Sequence, residues 1–317
     1  MMKITVGVVM DPIESIHVKK DSTLALLLAA QQRHWKIVYM EQKDLLFRDG
    51  QAWAYQQPLT VFDNLNRWYK LGAKKLQRLN TLDVILMRKD PPVDTQYLYA
   101  TQILDRAEKE GVLVVNKPQS LRDVNEKLFI SEFPQCCAPT LVTSDYDLLK
   151  QFLKEQKDII CKPLHGMGGN SIFRLRQNDP NINVVFEILT MNGKNYMLAQ
   201  RYIPEISKGD KRILMINGEP FPYALARMAP PGETRANLAV GGHGVGKALS
   251  KRDRWICEQV SPILKEKGLF FVGLDVIGDY LTEINVTSPT CIRELEAIYS
   301  VSICDQILDG IEEKLKQ

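Results

Sequence analysis

Three oxygen-bearing side chains lie close together near the end of the chain: Asp275, Glu283 and Asn285. On a strand, Glu283 and Asn285 are two residues apart and so share a face. Hard oxygen donors on one face suit Mg2+, which takes few protein oxygens and completes its shell with phosphate and water. The plainer alternative is the polar outer face of an antiparallel sheet. Arg212 and Arg227 flank Asn217-Gly218, the strongest hairpin signal in the sequence. Two guanidiniums so placed would clamp a carboxylate or a phosphoryl group in transfer; ordinary strand-edge charge is the alternative. Lys162 ends an apolar run over residues 158–162 and precedes Pro163 and the loop Gly166-Met167-Gly168-Gly169. Such a loop lets backbone N–H groups approach phosphate oxygens, and a lysine is a point charge for the same oxygens. It is not a P-loop, because no Gly-Lys-Ser/Thr follows, nor a dinucleotide fingerprint, because a strand rather than a helix follows. Taken alone, it also reads as a flexible hairpin turn. Lys127, on a helix predicted over 125–133, is a second candidate cation. Arg88 begins Arg88-Lys89-Asp90-Pro91-Pro92 just after an apolar strand at 84–87. Ligands of open parallel sheets sit beyond such strand ends, which makes Arg88 a candidate for a substrate carboxylate.

These groups must be held by a recognisable order of elements. Apolar β-rich runs at 4–10, 37–40, 84–87 and 113–115 alternate with helical patterns at 24–32 and 96–110, which argues a parallel sheet covered by helices. Residues 53–80 are polar, aromatic and poorly periodic, and read as an irregular or helical insertion. The pattern then predicts a strand at 140–143, a helix at 147–155, and strands at 158–162 and 172–175 around the glycine loop. The last third reads as antiparallel: the hairpin around Asn217-Gly218, a second strand pair at 269–277 and 280–286, and helices at 250–267 and 302–315. The segment 228–246 is longer than loops usually are without structure of their own and reads as a lid. The chain therefore divides into 1–122, 123–203 and 204–317. The fold class is α/β: a βα first domain followed by two lobes with antiparallel sheets.

Composition narrows the function classes. The chain has 317 residues, 45% hydrophobic and 25% charged, ordinary for a globular protein and enough to bury a core without staples. A net charge of +3 falls short of a dedicated nucleic-acid binder. No apolar run approaches a membrane span, and the first residues do not read as a signal peptide. Six cysteines form no C-x-x-C and read as free thiols in a reducing cytoplasm. Zinc-protease and serine-hydrolase motifs do not occur.

Several runs together resemble the bacterial glutathione synthetase family of the ATP-grasp superfamily. They are Val9-Met-Asp-Pro12, Ile85-Leu-Met-Arg-Lys-Asp-Pro-Pro92, Val115-Asn-Lys-Pro-Gln-Ser-Leu-Arg-Asp123, Gly166-Met-Gly-Gly169, Gly232-Glu-Thr-Arg235 and Leu281-Thr-Glu-Ile-Asn-Val-Thr-Ser-Pro-Thr-Cys-Ile-Arg-Glu294. The resemblance implies an ATP-dependent ligase joining γ-glutamylcysteine to glycine through an acyl phosphate. By the same resemblance, Lys127, Lys162 and Gly166 to Gly169 would contact ATP phosphates, and Gln200, Tyr202 and Ile203 would hold adenine. Asp275, Glu283 and Asn285 would bind Mg2+, with Mn2+ as a substitute. Arg212, Arg227 and Arg235 would stabilise the transfer, and Arg88, Ser288, Thr290 and Cys291 would receive the peptide and glycine. A homotetramer is implied as well. His165, Arg201 and His243 depart from the family pattern. The nearest alternative is another ATP-grasp carboxylate–amine ligase of the D-alanine–D-alanine or glutamate type; a catalytically dead ATP-binding regulator is the alternative from another class.

One expectation is geometric. If Asp275 and Glu283 serve one site, their side chains must share a face. A two-residue turn at Gly278-Asp279 would instead pair Asp275 with Thr282 and turn Glu283 away. An odd-length loop or a bulge is therefore expected between them.

Overall fold

The computed structural model describes residues 3–229 and 243–317. Its first layer is an eight-stranded sheet in the order β3-β4-β2-β1-β7-β8, with two further strands on β4. The strands are β1 (Thr5–Met10), β2 (Lys36–Met40), β3 (Leu45–Arg48), β4 (Gln51–Val61), β5 (Tyr69–Leu71), β6 (Lys75–Arg78), β7 (Val84–Arg88) and β8 (Leu113–Val115), with α1 (Ser22–Gln32), α2 (Thr95–Lys109) and α3 (Pro118–Asp123) between them. Pairing is parallel from β2 through β1 and β7 to β8. All five residues of β7 are buried, as a strand covered on both faces requires. Asp21 and Asp94 cap α1 and α2 by accepting bonds from the backbone N–H groups of Leu24 and Tyr97.

The segment 53–80 is a correction. It is mainly antiparallel strand: β4 pairs antiparallel with β2, β3, β5 and β6. The inward positions of β4 include Ala52, Ala54 and Gln56, so the strand alternates in burial without alternating in hydrophobicity.

The second layer is a four-stranded antiparallel sheet, β11-β10-β12-β9, formed by β9 (Thr140–Thr143), β10 (Asp158–Pro163), β11 (Phe173–Arg176) and β12 (Met197–Arg201). Helices α4 (Tyr146–Gln156) and α5 (Ile182–Thr190) pack on it. The third is a five-stranded antiparallel sheet, β15-β14-β13-β16-β17, made of β13 (Asp210–Ile216), β14 (Glu219–Met228), β15 (His243–Ala248), β16 (Phe271–Ile277) and β17 (Tyr280–Asn285), with α6 (Lys251–Glu266), α7 (Ile292–Tyr299) and α8 (Ile303–Lys314). The expected lid lies mostly outside the described residues; its two ends belong to the antiparallel pair β14 and β15.

Burial groups these layers unequally. One core joins Val9, Met87 and Leu104 of the first layer to Ile213, Leu274 and Leu281 of the third. Another joins Val6, Leu24 and Leu27 to Phe271, Ile307 and Leu308. The central lobe has a core of its own around Leu153, Ile159, Phe186 and Met197. Asn116 ties the first layer to the third: its amide donates to the carbonyls of Phe271 (2.8 Å) and Val286 (2.7 Å) and accepts from the Phe271 N–H (2.8 Å). Each unmet buried partner costs roughly 1–3 kcal/mol. Asn116→Ala should therefore lower stability by about 2–4 kcal/mol in denaturant unfolding, a loss the exposed change Asn66→Ala should not produce.

Candidate active site

Strand register builds the site. Arg212 on β13 lies directly across from Asp275 on β16, Asp275 across from Glu283 on β17, and Asp210 across from Arg227 on β14. Residues opposite or two apart point the same way, so these five and Asn285 share one face. The parity expected from sequence is met by a bulge and not by an odd-length loop. Ile277 pairs with Tyr280 around the two-residue Gly278-Asp279 turn, and a register shift between Asp275 and Val276 leaves Thr282 as the extra residue. The Thr282 hydroxyl donates to the Asp275 carbonyl at 3.0 Å, anchoring the bulge.

On that face Asp275 is shared by two guanidiniums. Arg212 Nη2 lies 3.0 Å and Arg227 Nη2 2.8 Å from Asp275 Oδ2, and Arg227 also bonds Asp210. Arg212, Arg227 and Asp275 are all buried. Burial alone would raise the Asp275 carboxyl pKa; the charges of Arg212 and Arg227 outweigh it and hold the group below the usual carboxylate range. Burial pushes Asp210 up to about 6, with Arg227 opposing and Asp275 adding to the rise. Two buried atoms here, Arg227 Nε and Asp210 Oδ1, have no hydrogen-bond partner among the described residues.

Across the cleft, Lys162 at the end of β10 reaches Glu283 Oε1 at 3.0 Å and the Thr282 carbonyl at 3.4 Å. Burial would raise the Glu283 pKa, but Lys162 and Lys127 bring it below normal. Lys127 is not on a helix as expected. It follows a turn in which Asn125 Oδ1 accepts from the N–H groups of Lys127 and Leu128, and the helix that follows is a short 3-10 turn, Phe129–Glu132. Its Nζ donates to the Gly166 carbonyl at 2.8 Å. The glycine loop connects β10 to β11, the expected hairpin. Gly166, Gly168 and Gly169 have φ of +95°, +72° and +78°. A Cβ on Gly166 would meet nothing within 4 Å, so backbone conformation rather than space calls for glycine there.

One cleft gathers Lys127, Lys162, residues 166–169, Gln200, Tyr202, Ile203, Arg212, Arg227, Asp275, Glu283, Asn285, Ser288 and Thr290. Its lining also includes residues that sequence reasoning missed. Ile160, Ile172, Ile206 and Ile277 form an apolar slot beside Ile203, suited to a flat purine. Arg174 lies over the Tyr202 ring at 3.4 Å and pairs with Asp158 through two bonds of 2.9 and 2.6 Å. Only the alternation of the flanking strands could have signalled these residues. Two expected residues lie behind the lining. Arg88 is buried, with Nη2 donating to the Pro289 carbonyl (2.8 Å) and Nε to the Thr23 hydroxyl (3.1 Å). Cys291 is buried at the start of α7 with φ +85°. Arg235 lies outside the described residues. Of the three departures from the family pattern, Arg201 packs over the Tyr280 ring at 5.3 Å, and His165 and His243 are exposed.

The donors fit a hard divalent cation. Glu283 bonds Lys162 through Oε1, and Asn285 uses its NH2 on the Gly273 carbonyl (3.3 Å), which leaves its oxygen as an acceptor. No cluster of three or more His, Cys, Asp or Glu that would hold a metal appears among the described residues.

Comparison with known proteins bears on the whole chain. Residues 4–122 match the family described as prokaryotic glutathione synthetase, N-terminal domain, and residues 126–300 the one described as prokaryotic glutathione synthetase, ATP-grasp domain. The chain belongs to the prokaryotic glutathione synthetase family. Curated relatives named glutathione synthetase include those of Pseudomonas aeruginosa, 57% identical over 314 residues, and Pseudomonas putida, 58% over 315, each covering 99% of both chains. That of Vibrio vulnificus is 55% identical over 315 residues, with the same coverage. Among solved structures, D-cycloserine synthetase DcsG superposes with a TM-score of 0.69 at 13% identity, covering 98% of this chain and 99% of the other. D-alanyl-alanine synthetase A from Vibrio cholerae superposes with a TM-score of 0.62 at 12% identity, covering all of both chains. These two likenesses confirm the α/β ATP-grasp fold of the family.

Two outcomes follow from the site's electrostatics. Asp275→Asn strips two buried arginines of their shared charge and should cost about 3–5 kcal/mol of stability. Glu283→Gln leaves the buried Lys162 a neutral acceptor in place of a charged one and should cost less, about 1–2 kcal/mol; thermal melts of both variants check the contrast. Burial raises the pKa of all six thiols, with Cys137, Cys161 and Cys257 pushed up to about 12. Their thiolate fraction is small at neutral pH, so a thiol reagent should label the native protein slowly at pH 7 and all six cysteines rapidly after denaturation.

Proposed function

We infer that the chain is a glutathione synthase: it joins γ-glutamylcysteine to glycine using ATP and releases ADP and phosphate. The observation that carries the reading is the identity of 55–58% along 99% of the chain to relatives bearing that name. The cleft supplies the parts. The isoleucine slot and the segment from Gln200 to Ile203 receive the base. Lys127, Lys162 and the glycine loop neutralise and orient the phosphates. Asp275, Glu283 and Asn285 would hold Mg2+, or Mn2+ in its place, which when bound would offset phosphate charge. Arg227, with its open Nε, and Arg212 face the phosphoryl group.

A peptide carboxylate oxygen attacks the γ-phosphorus, the bond to ADP breaks, and an acyl phosphate forms. The glycine amine then attacks the carbonyl carbon, phosphate leaves, and the amine loses a proton. A free carboxylate has no good leaving group, so the first step makes the second possible. Fixed positive charge aimed at the transferring group is what such a site contributes. Ser288 and Thr290 line the acceptor end, and Arg88 acts from behind by holding the Pro289 carbonyl. Residues 228–246 take the lid role that the length of the segment suggests, Arg235 would join Arg212 and Arg227 in stabilising the transfer as the family resemblance implies, and the same resemblance supports a homotetramer, which sedimentation checks. Among the described residues no helix is long and apolar enough to cross a membrane.

The test supplies Mg-ATP with γ-glutamylcysteine plus glycine, with D-alanine alone, or with glutamate as acceptor. ADP and glutathione should appear in equal amounts in the first mixture only. ADP in the D-alanine mixture would favour the other ligase type, and no ADP in any mixture would leave a nucleotide-binding regulator. Within the active enzyme, Glu283→Ala should lower kcat by about 10²–10³ with the fold retained, and Arg88→Ala should raise the dipeptide KM by about tenfold while leaving the ATP KM unchanged.

A further inference from the structure

Glu126 lines the cleft and has no part in the scheme above. Its surroundings are specific. One oxygen, Oε1, accepts three bonds: from the Val286 N–H at 2.8 Å, the Thr287 N–H at 3.0 Å and the Thr287 hydroxyl at 2.9 Å. Its own backbone carbonyl accepts the Ile284 N–H at 2.9 Å. The segment around Glu126 therefore runs beside the end of β17 and captures the chain just after Asn285, where the strand's own ladder stops. Two residues further on, Arg88 donates to the Pro289 carbonyl at 2.8 Å. The loop that presents Ser288 and Thr290 to the cleft is thus held at both ends, from different elements. The neighbour of Glu126 in sequence, Lys127, holds the Gly166 carbonyl at the root of the glycine loop.

We propose that Glu126 is a positioning residue, which sets the 287–290 loop in register with Lys127 so that the acceptor end and the phosphate end of the cleft keep one spacing. This rests on the ligase reading given above. All three donors on Oε1 are neutral, so the place of that oxygen carries the effect and its charge does not. Glutamine keeps a carbonyl oxygen there. Aspartate keeps the charge but withdraws the oxygen by about one carbon–carbon bond, roughly 1.5 Å, beyond hydrogen-bond reach of groups now at 2.8–3.0 Å.

The experiment compares Glu126→Gln with Glu126→Asp in the full chain. It uses two readouts: amide hydrogen exchange at Val286 and Thr287 without substrates, and kcat and KM for γ-glutamylcysteine and for ATP. Glu126→Gln should keep both amides protected and keep kcat/KM for the dipeptide within about threefold of the parent. Glu126→Asp should lose that protection and lower the dipeptide kcat/KM by about 10²-fold, as a displacement of this size does, with the ATP KM within about twofold. Thr287→Val, which removes one donor and keeps the shape, should shift the dipeptide kcat/KM in the same direction as Glu126→Asp. An aspartate variant that matches or outperforms the glutamine one overturns the proposal, since charge would then be what matters. A parallel loss of ATP affinity overturns it too, because Glu126 would then be acting through Lys127. If the parent enzyme makes no glutathione, the ligase reading fails instead, and the exchange at Val286 and Thr287 still decides what Glu126 holds.

Discussion

Two buried arginines lean on one buried aspartate, and the chemistry of the cleft follows from that arrangement. Arg212 and Arg227 approach Asp275 from neighbouring strands, so neither guanidinium is free to turn toward solvent. Taking such charges out of water is costly, and the arrangement is tolerable only because the pairs are close and extensively bonded. Removing the carboxylate would leave two cations facing each other. Because it is there, Arg227 can leave its buried Nε unbonded without being an isolated buried charge. Positive potential is fixed in place before any ligand arrives, which spares the reaction the reorganisation that water would require.

The sheet enforces this through parity. Every cross-strand pair in the row is set by backbone register, and a single residue of slip would turn alternate side chains to the far face. The bulge at Thr282 is where local turn preference and the site's geometry are reconciled. The tight Gly278-Asp279 turn keeps its favoured length, and one extra residue on β17 restores Glu283 to the face of Asp275.

Much of the site was legible in the sequence because strand alternation is a local rule. Glu283 and Asn285 could be assigned to one face from spacing; Asp275 joined them only by supposing a shared site, against the favoured two-residue turn, and the place of Arg212 and Arg227 on that face came from the strand register. The insertion at 53–80 was not legible: the first buried positions of β4 are two alanines and a glutamine, with Leu59 and Val61 only at its end, and Gln56 is satisfied by donating to the Arg78 carbonyl at 3.2 Å, a partner on another strand. Lys127 was placed on a helix because the run after it has helical spacing, whereas the Asn125 side chain closes a turn first. Glu126 carried no signal, since its partners lie about 160 residues away in sequence. Arg88 was found for the right neighbourhood, but its burial against Pro289 depends on how the first and third layers pack, which no local pattern encodes.

The separate core of the central lobe has a thermodynamic consequence. The first and third layers share their apolar interiors, while the central lobe keeps its own and meets the rest of the cleft through polar contacts such as Lys162 to Glu283. Detaching the lobe therefore exposes little apolar surface, and it can open as a cooperative unit at a free energy below that of global unfolding. A nucleotide that touches both walls binds only the docked arrangement, so it raises the opening free energy by RT ln(1 + [L]/Kd). The lobe thus acts as a concentration meter for its own ligand: its exposure to proteases falls as the nucleotide level rises, while the rest of the chain is indifferent.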